Sequence, residues 1–530
     1  MKINNIPFQQ TGFFSKTMLD YLEQKEAIRP FYNNFPDIDG FKNQLGEKEN
    51  SFSKEHRRVL VDALQQQYAS IDVSEETQQN IQNLASKNTF TVTTGHQLNL
   101  FTGPLYFLYK IISAINLAEE LKGHFPENDF VPVYWMATED HDFDEINYFN
   151  FQNQKVQWNR ADGGAVGHFD TEGLEKVFET FATQLGTTRN ATYLKELFSE
   201  GYVKHKTLTE STRYIANALF AKYGLVIVDG DDAQLKALFA PYVEQELKEQ
   251  VSSKAVINTI SELEKNYKIQ VNPREINLFY LSAHSRERIV LENGIYNVNN
   301  TNITWSLSEI LKEVNEEPQR FSPNVIMRPL YQEVILPNLA YIGGGGELAY
   351  WLELKDYFTE VQIPFPILLL RNSVQIISSK QQRKLDGLGI SHQELFLKLN
   401  DLLALKVKEN SNIELDFSTQ RAQLTAQFVQ LKEVAQKTDV SFLGAVNAQE
   451  KKQLNGLDKL EKRLLIAEKR RQQDLVIRVT EIKNQLLPNQ SLEERQRNFS
   501  EFYLEYGDGL IEALKASLKP LALEFTILEL

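Results

Sequence analysis

At 530 residues the chain is too long for one hydrophobic core, and about two to four domains are expected. Hydrophobic residues make up 42% and charged residues 24%, ordinary globular usage that excludes disordered, collagen-like and low-complexity classes. The formal net charge of -14, from 57 Lys+Arg against 71 Asp+Glu, disfavours a nucleic-acid binder, and the lack of cysteine removes disulfides, thiolate nucleophiles, iron–sulfur clusters and Cys-ligated zinc.

The first residues, MKINNIPFQQTGFFSKTMLDYL, hold no apolar leader core, and no stretch reaches about 18 uninterrupted apolar residues, so a cytoplasmic protein without a membrane segment is expected. Up to about residue 87 the pattern is helical and polar, with little chemistry in it. Residues 88–94 (NTFTVTT) then read as a β-branched strand, and Gly103-Pro104 opens an apolar helix over 105–121. Residues 130–137 (FVPVYWMA) read as a second buried strand, which makes a right-handed βαβ unit with parallel strands. A helix near 209–222 precedes a third strand at 224–229.

Between 233 and 321 the pattern changes to an amphipathic helix (252–267) and strands at 276–281 and 288–296, the last interrupted by the turn signal Asn293-Gly294. This is a small α+β insertion. Residues 324–327 and 363–370 read as the last strands of the first sheet, with a helix at 347–360 between them. Beyond Arg371 the chain is polar and helical, with no proline between Pro366 and Pro488. Leu424, Phe428, Leu431, Ala435 and Thr438 form one heptad seam, and Leu475, Val479, Ile482 and Leu486 another, with a skip before Leu475. Two arrangements stay open: an antiparallel hairpin within one chain, or a protruding coiled coil, roughly 70 Å long, that pairs with a second subunit. Ser491 and Glu494 suggest a capping box, and the apolar end LEFTILEL a return to the core.

The expected fold is therefore α/β: a Rossmann-like parallel-sheet core (1–232 and 322–375), a connecting α+β insertion (233–321), a helical coiled coil (376–490) and a tail (491–530) packed near its base. Three segments stand out chemically. Gly95, His96, Gln97 and Asn99 crowd the loop before the first helix, where free amides and the helix dipole suit an anion; a plain βα turn capped by Thr102 is the alternative. Residues 139–145 place five carboxylates and His141 in seven positions after a buried strand, suited to Mg²⁺, an ammonium group or proton transfer, or else to an exposed acidic helix start. Arg328 lies ahead of the run Gly343-Gly344-Gly345-Gly346; it suits a carboxylate or phosphate, or a salt bridge to Glu333, and the glycines suit an anion site or a hinge.

In this order, TGHQLNLFTGPLYFLYKIISAINLA, PVYWMATEDHDFDEIN and RFSPNVIMRPLYQEVILPNLAYIGGGGELAYW resemble the BshC family, the cysteine-adding enzymes of bacillithiol biosynthesis. The resemblance spans essentially the whole chain. It implies a ligase joining L-cysteine to the amine of glucosaminyl malate, the pathway's last step, a coiled-coil homodimer, and ATP or ADP binding with Mg²⁺ near the coiled-coil base. A nucleotide-binding scaffold, or a hydrolase or transferase on the same core, stays open beside it.

The family pattern falls on Gly95, Gln97, Thr102, Gly103 and Pro104, on Glu139, Asp140, His141, Asp142, Asp144, Glu145 and Asn147, and on Arg328, Gln332 and Glu333; Thr94, His96 and Asn99 depart from it. Glu139, Asp140, His141, Asp142 and Asn147 are accordingly the catalytic candidates. Gly95, His96, Gln97, Thr102, Gly103, Arg328, Gln332, Glu333, Gly345, Gly346, Glu347 and Tyr350 are the substrate candidates. Arg371, Asn372 and Ser373 with Tyr503, Tyr506 and Gly507 are the nucleotide candidates, with domain docking as their alternative role.

Overall fold

The computed structural model describes residues 1–160, 163–438 and 440–530. Five strands form its central sheet: β1 (Thr89–His96), β2 (Asp129–Met136), β3 (Val226–Asp229), β4 (Asn338–Gly343) and β5 (Ile367–Leu370). All neighbours are parallel, and the spatial order is β5-β4-β1-β2-β3. Parallel strands need both faces covered, which explains why their sequences run apolar or β-branched without alternation. On one face the helix Tyr106–His124 buries Ala114, Leu117 and Leu121 against Val92, Ala340, Ile342, Ile367 and Leu369.

This order has a consequence for ligands. From β1 the chain builds outward through β2 and β3, then returns to place β4 on the other side of β1. The carboxyl ends of β1 and β4 thus flank a topological switch point, where open α/β sheets leave a crevice.

Three expectations are corrected. Residues 324–327 are not a core strand: the insertion's sheet ends at Phe321–Pro323, the Asn324 side chain accepts the Ile326 amide at 2.9 Å, and the helix Arg328–Ile335 follows. The strand belonging there is β4, a six-residue apolar run of a kind that periodicity cannot tell from buried helix. The helix expected at 347–360 is two, Gly345–Leu352 and Lys355–Glu360. Ser491 and Glu494 form no capping box, because the Glu494 carboxylate accepts Arg371 at 2.7 Å and the Val374 amide at 3.2 Å.

The insertion is an antiparallel sheet of five strands, with Asn293 and Gly294 at φ 52° and 80° turning Ser285–Glu292 into Ile295–Val298. The chain end does return: Phe525–Glu529 pairs antiparallel with Lys2–Ile6 and parallel with Val374–Ile377. In the helical region Ser418–Ala435 packs back on Val440–Arg471 within one chain. Leu424, Phe428, Ala435, Leu443 and Val446 lie between them, and Arg421 reaches Asp458 and Glu461 across the seam. The skip falls at Gln472, after which Gln473–Leu486 packs on the main core through Val479, Ile482 and Leu486. Among the described residues no helix is long and apolar enough to cross a membrane.

Candidate active site

A cleft of about 610 Å³ opens over the switch point. Its core wall comes from the end of β1 (Gly95, His96, Gln97), the end of β2 (Thr138, Glu139, Asp140, His141), Lys110 of the first helix, Arg328, and Tyr341, Glu347 and Tyr350 around the glycine run. The opposite wall is the insertion, which adds Asn272, Arg274, Phe279, Arg286 and Arg288. Gly95 is needed because a Cβ there would stand 3.0 Å from the Tyr341 hydroxyl.

Under the glycine run, Lys110 donates to the Gly95 carbonyl at 2.7 Å and to Glu347 at 2.5 Å, while Tyr341 donates to the other Glu347 oxygen at 3.0 Å. Arg328 donates to the Tyr350 hydroxyl at 2.9 Å and to Gln332 at 3.2 Å, with its guanidinium over the Tyr341 and Trp351 rings. It does not pair with Glu333. Burial pulls the Lys110 ammonium below its ordinary pKa despite Glu347.

The acidic segment divides in two. Glu139 meets Lys236 at 2.5 Å; burial pushes its carboxyl pKa up, and Lys236 opposes the shift. Asp140 accepts Gln97 at 2.7 Å and the His141 amide at 2.8 Å. His141 Nδ1 accepts the Arg286 guanidinium at 2.9 Å, and burial followed by Arg286 lowers its pKa, so the ring is held neutral. Asp142 is exposed at the start of the short helix Phe143–Ile146, and Asn147 is buried behind it, its carbonyl accepting Trp158; neither lines the cleft.

Of the remaining candidates His96 lines the cleft and the others scatter. His96 is 6% exposed, its Nε2 has no hydrogen-bond partner, and burial followed by Lys110 drives its pKa well below the ordinary value. Thr102 and Gly103 turn back at φ 68° and 63°, where Asn498 of the tail clamps the Phe101 and Gly103 carbonyls at 2.8 and 2.6 Å. Gln332 and Glu333 are buried away from the cleft, Glu333 on Lys48 at 3.0 Å and on Asn338 at 2.6 Å. Gly345 and Gly346 line a separate cavity of about 190 Å³ with Arg371 and Ser373.

Of the nucleotide candidates, Arg371 holds Glu494, Asn372 accepts Ser113 at 3.0 Å, and Tyr503 stacks on Tyr193 and donates to Asp508 at 2.6 Å. Tyr503, Tyr506 and Gly507 are not part of the Arg371 cavity, so the six do not converge on one ligand. Among the described residues no three His, Asp or Glu side chains gather as a metal site.

Sequence reasoning missed Lys110, Lys236, Arg274, Arg286 and Arg288. The only signal was the general need for cations to offset the net charge, with nothing to say which ones. In the cleft Lys110, Arg274, Arg286, Arg288 and Arg328 face Glu139, Asp140 and Glu347, an excess of two positive charges in a chain of net charge -14. None of the four arginines pairs with a carboxylate among the described residues.

Comparison with known proteins follows the same lines. The model for the N-terminal Rossmann-like domain of bacillithiol biosynthesis BshC matches residues 1–372, and that for its C-terminal coiled-coil domain residues 374–530. A protein of Flavobacterium psychrophilum, provisionally named cysteine ligase BshC, is 55% identical over 100% of both chains. One of the same name from Flavobacterium johnsoniae is 53% identical, again over 100% of both. A third, from Christiangramia forsetii, is 54% identical over 100% of this chain and 99% of its own.

Proposed function

This chain belongs to the BshC family, and from that premise we propose that it is a cysteine ligase of bacillithiol biosynthesis, joining the cysteine carboxyl to the amine of glucosaminyl malate in the cleft over the switch point. The observation that carries this reading is the charge pattern: four arginines with no carboxylate partner among the described residues, and Lys110, share one cleft with an acidic strand end. The malate carboxylates fit the guanidinium groups, and Glu139 and Asp140 fit the amine. Glu139, its carboxyl pKa raised by burial, suits the group that takes the amine proton as the C–N bond forms.

Amide formation needs an activated carboxyl, which a nucleoside triphosphate supplies as an acyl phosphate or acyl adenylate. The arginines fit such an anion in the cleft; the helix start after Gly344 faces the separate cavity beside Arg371, and the residues around Arg371 and Tyr503 do not form a common site for it. Incubation with cysteine, the aminosugar malate and ATP tests the reading. Mass spectrometry should show the cysteinyl adduct, with AMP or ADP formed only when all three are present. Nucleotide hydrolysis that ignores cysteine would point to a hydrolase on this core.

We further propose that the coiled coil pairs two subunits. Leu431 and Val434 of Ser418–Ala435 are 48% and 56% exposed, and Leu460 of the facing helix is 53% exposed. Leu431→Glu with Val434→Glu should halve the mass in analytical ultracentrifugation, and an unchanged mass removes the idea. Val479 is the wrong place for that test: it is fully buried within one chain, and a charge there should unfold the helix base.

A further inference from the structure

Behind Glu139 lies a chain of charges that reaches the surface. Lys236, in the first turn of the helix Ala233–Glu249, has its ammonium 2.5 Å from Glu139, 3.0 Å from Asp231 and 2.8 Å from the Gln319 carbonyl. Three oxygens thus enclose the ammonium, two of them accepting its hydrogen bonds, and the side chain is 2% exposed. Asp231 in turn holds His168 at 2.6 Å, and the His168 side chain is 55% exposed. The three neighbours of Lys236 come from the end of β2, the turn after β3 and the exit of the insertion. One ammonium therefore ties both walls of the cleft to the Glu139 carboxylate.

Lys236 is buried and does not line the cleft, whereas Glu139 does, so its effect on substrate must pass through Glu139. We propose that Lys236 is the positioning residue of the proton-accepting carboxylate, fixing Glu139 at the cleft wall as an anion, with Asp231 and His168 behind it setting how strongly it does so. This rests on the reading of Glu139 as the group that takes the amine proton. In that step the amine nitrogen bonds to the acyl carbon of the activated cysteine, the bond from that carbon to its phosphate or adenylate leaving group breaks, and the nitrogen's proton passes to Glu139.

The charged and titratable groups facing Glu139 are Lys236, Asp231 and Arg286, with Asp140 beside Arg286, Asp229 beside Asp231, and the Tyr331 phenol packed nearby. Burial raises the Glu139 carboxyl pKa, Lys236 and Arg286 lower it, and Asp231 raises it. Burial would also raise the Asp231 carboxyl, but Lys236 and His168 hold its pKa at about 2, so it is a fixed negative charge at working pH.

Removing Lys236 and removing the Asp231 charge must therefore move the Glu139 titration in opposite directions. In the profile of kcat against pH, the acid limb should rise by about one unit or more in Lys236→Met and fall in Asp231→Asn, with Lys236→Arg close to wild type. General damage to the fold lowers the plateau but does not split the limb in two directions. Limbs unmoved, or moved the same way, overturn the proposal. If Lys236→Met does not fold, Asp231→Asn decides alone, and an acid limb that stays put refutes it. Glu139→Gln is the control for the premise: full turnover there refutes the reading of the site, whereas its loss with unshifted limbs in the other variants refutes only the role of Lys236.

Discussion

Arg328→Ala is expected to weaken binding of the malate-bearing aminosugar roughly 30- to 900-fold, the equivalent of about 2–4 kcal/mol. The guanidinium is already in place before any ligand arrives: Tyr350 and Gln332 take one bond from each terminal nitrogen, and the Tyr341 and Trp351 rings lie beneath it. Among the described residues no carboxylate pairs with it directly, Glu347 acting only from a distance, so an incoming anion gains a charge-assisted contact without first breaking one. A purely exterior arginine would contribute under about 1 kcal/mol. Calorimetric titration into wild type and variant measures the difference, and equal affinities would take the anchor out of the site. Arg328→Lys is informative beside it, since an ammonium keeps the charge but loses the planar fork.

How far the site could be read from the sequence depended on whether one continuous segment carried it. β1, β2 and their loops announced themselves through β-branched runs followed by glycine or clustered carboxylates, and the structure brings both loop starts into one cleft. β4 did not: NLAYIG is short and apolar, and the glycines after it masked where strand ended and helix began. Without β4 the strand order was unknown, and with it the reason why Gly95 and Glu347 meet. The insertion's arginines were invisible for a different reason. On an antiparallel sheet a polar residue reads as the solvent face, and only the docking of that sheet over the core turns Arg286 and Arg288, with Arg274 of the loop ahead of it, toward the cleft.

Glu333 shows the opposite error. The family pattern places it with Arg328 among the substrate candidates, yet on the helix Arg328–Ile335 the two positions, five apart, point to different sides. Arg328 enters the cleft, and Glu333 turns into the core to meet Lys48 of the helix Ile38–Ser51. A sequence motif records that both residues are needed, and it is silent on whether the need is chemical or structural.

A structural need predicts a loss of stability, and a large one. Lys48 and Glu333 are 1% and 0% exposed, and Asn338 and Gln332 donate to the same carboxylate at 2.6 and 3.3 Å. Lys48→Met strands a buried carboxylate and should cost about 3–5 kcal/mol in urea unfolding, whereas Lys48→Met with Glu333→Leu should recover much of it because neither charge is then buried. The pH dependence follows from the sign of the shift. Burial raises the Glu333 carboxyl above its ordinary pKa with Lys48 opposing, so without Lys48 the folded state holds that proton still more tightly. Stability of the Lys48→Met protein should therefore fall as pH rises above the unfolded value of about 4.3, and its deficit against wild type should shrink below it. Coincident urea curves for wild type and Lys48→Met at neutral pH would deny the pair its structural role and return Glu333 to the substrate side of the helix.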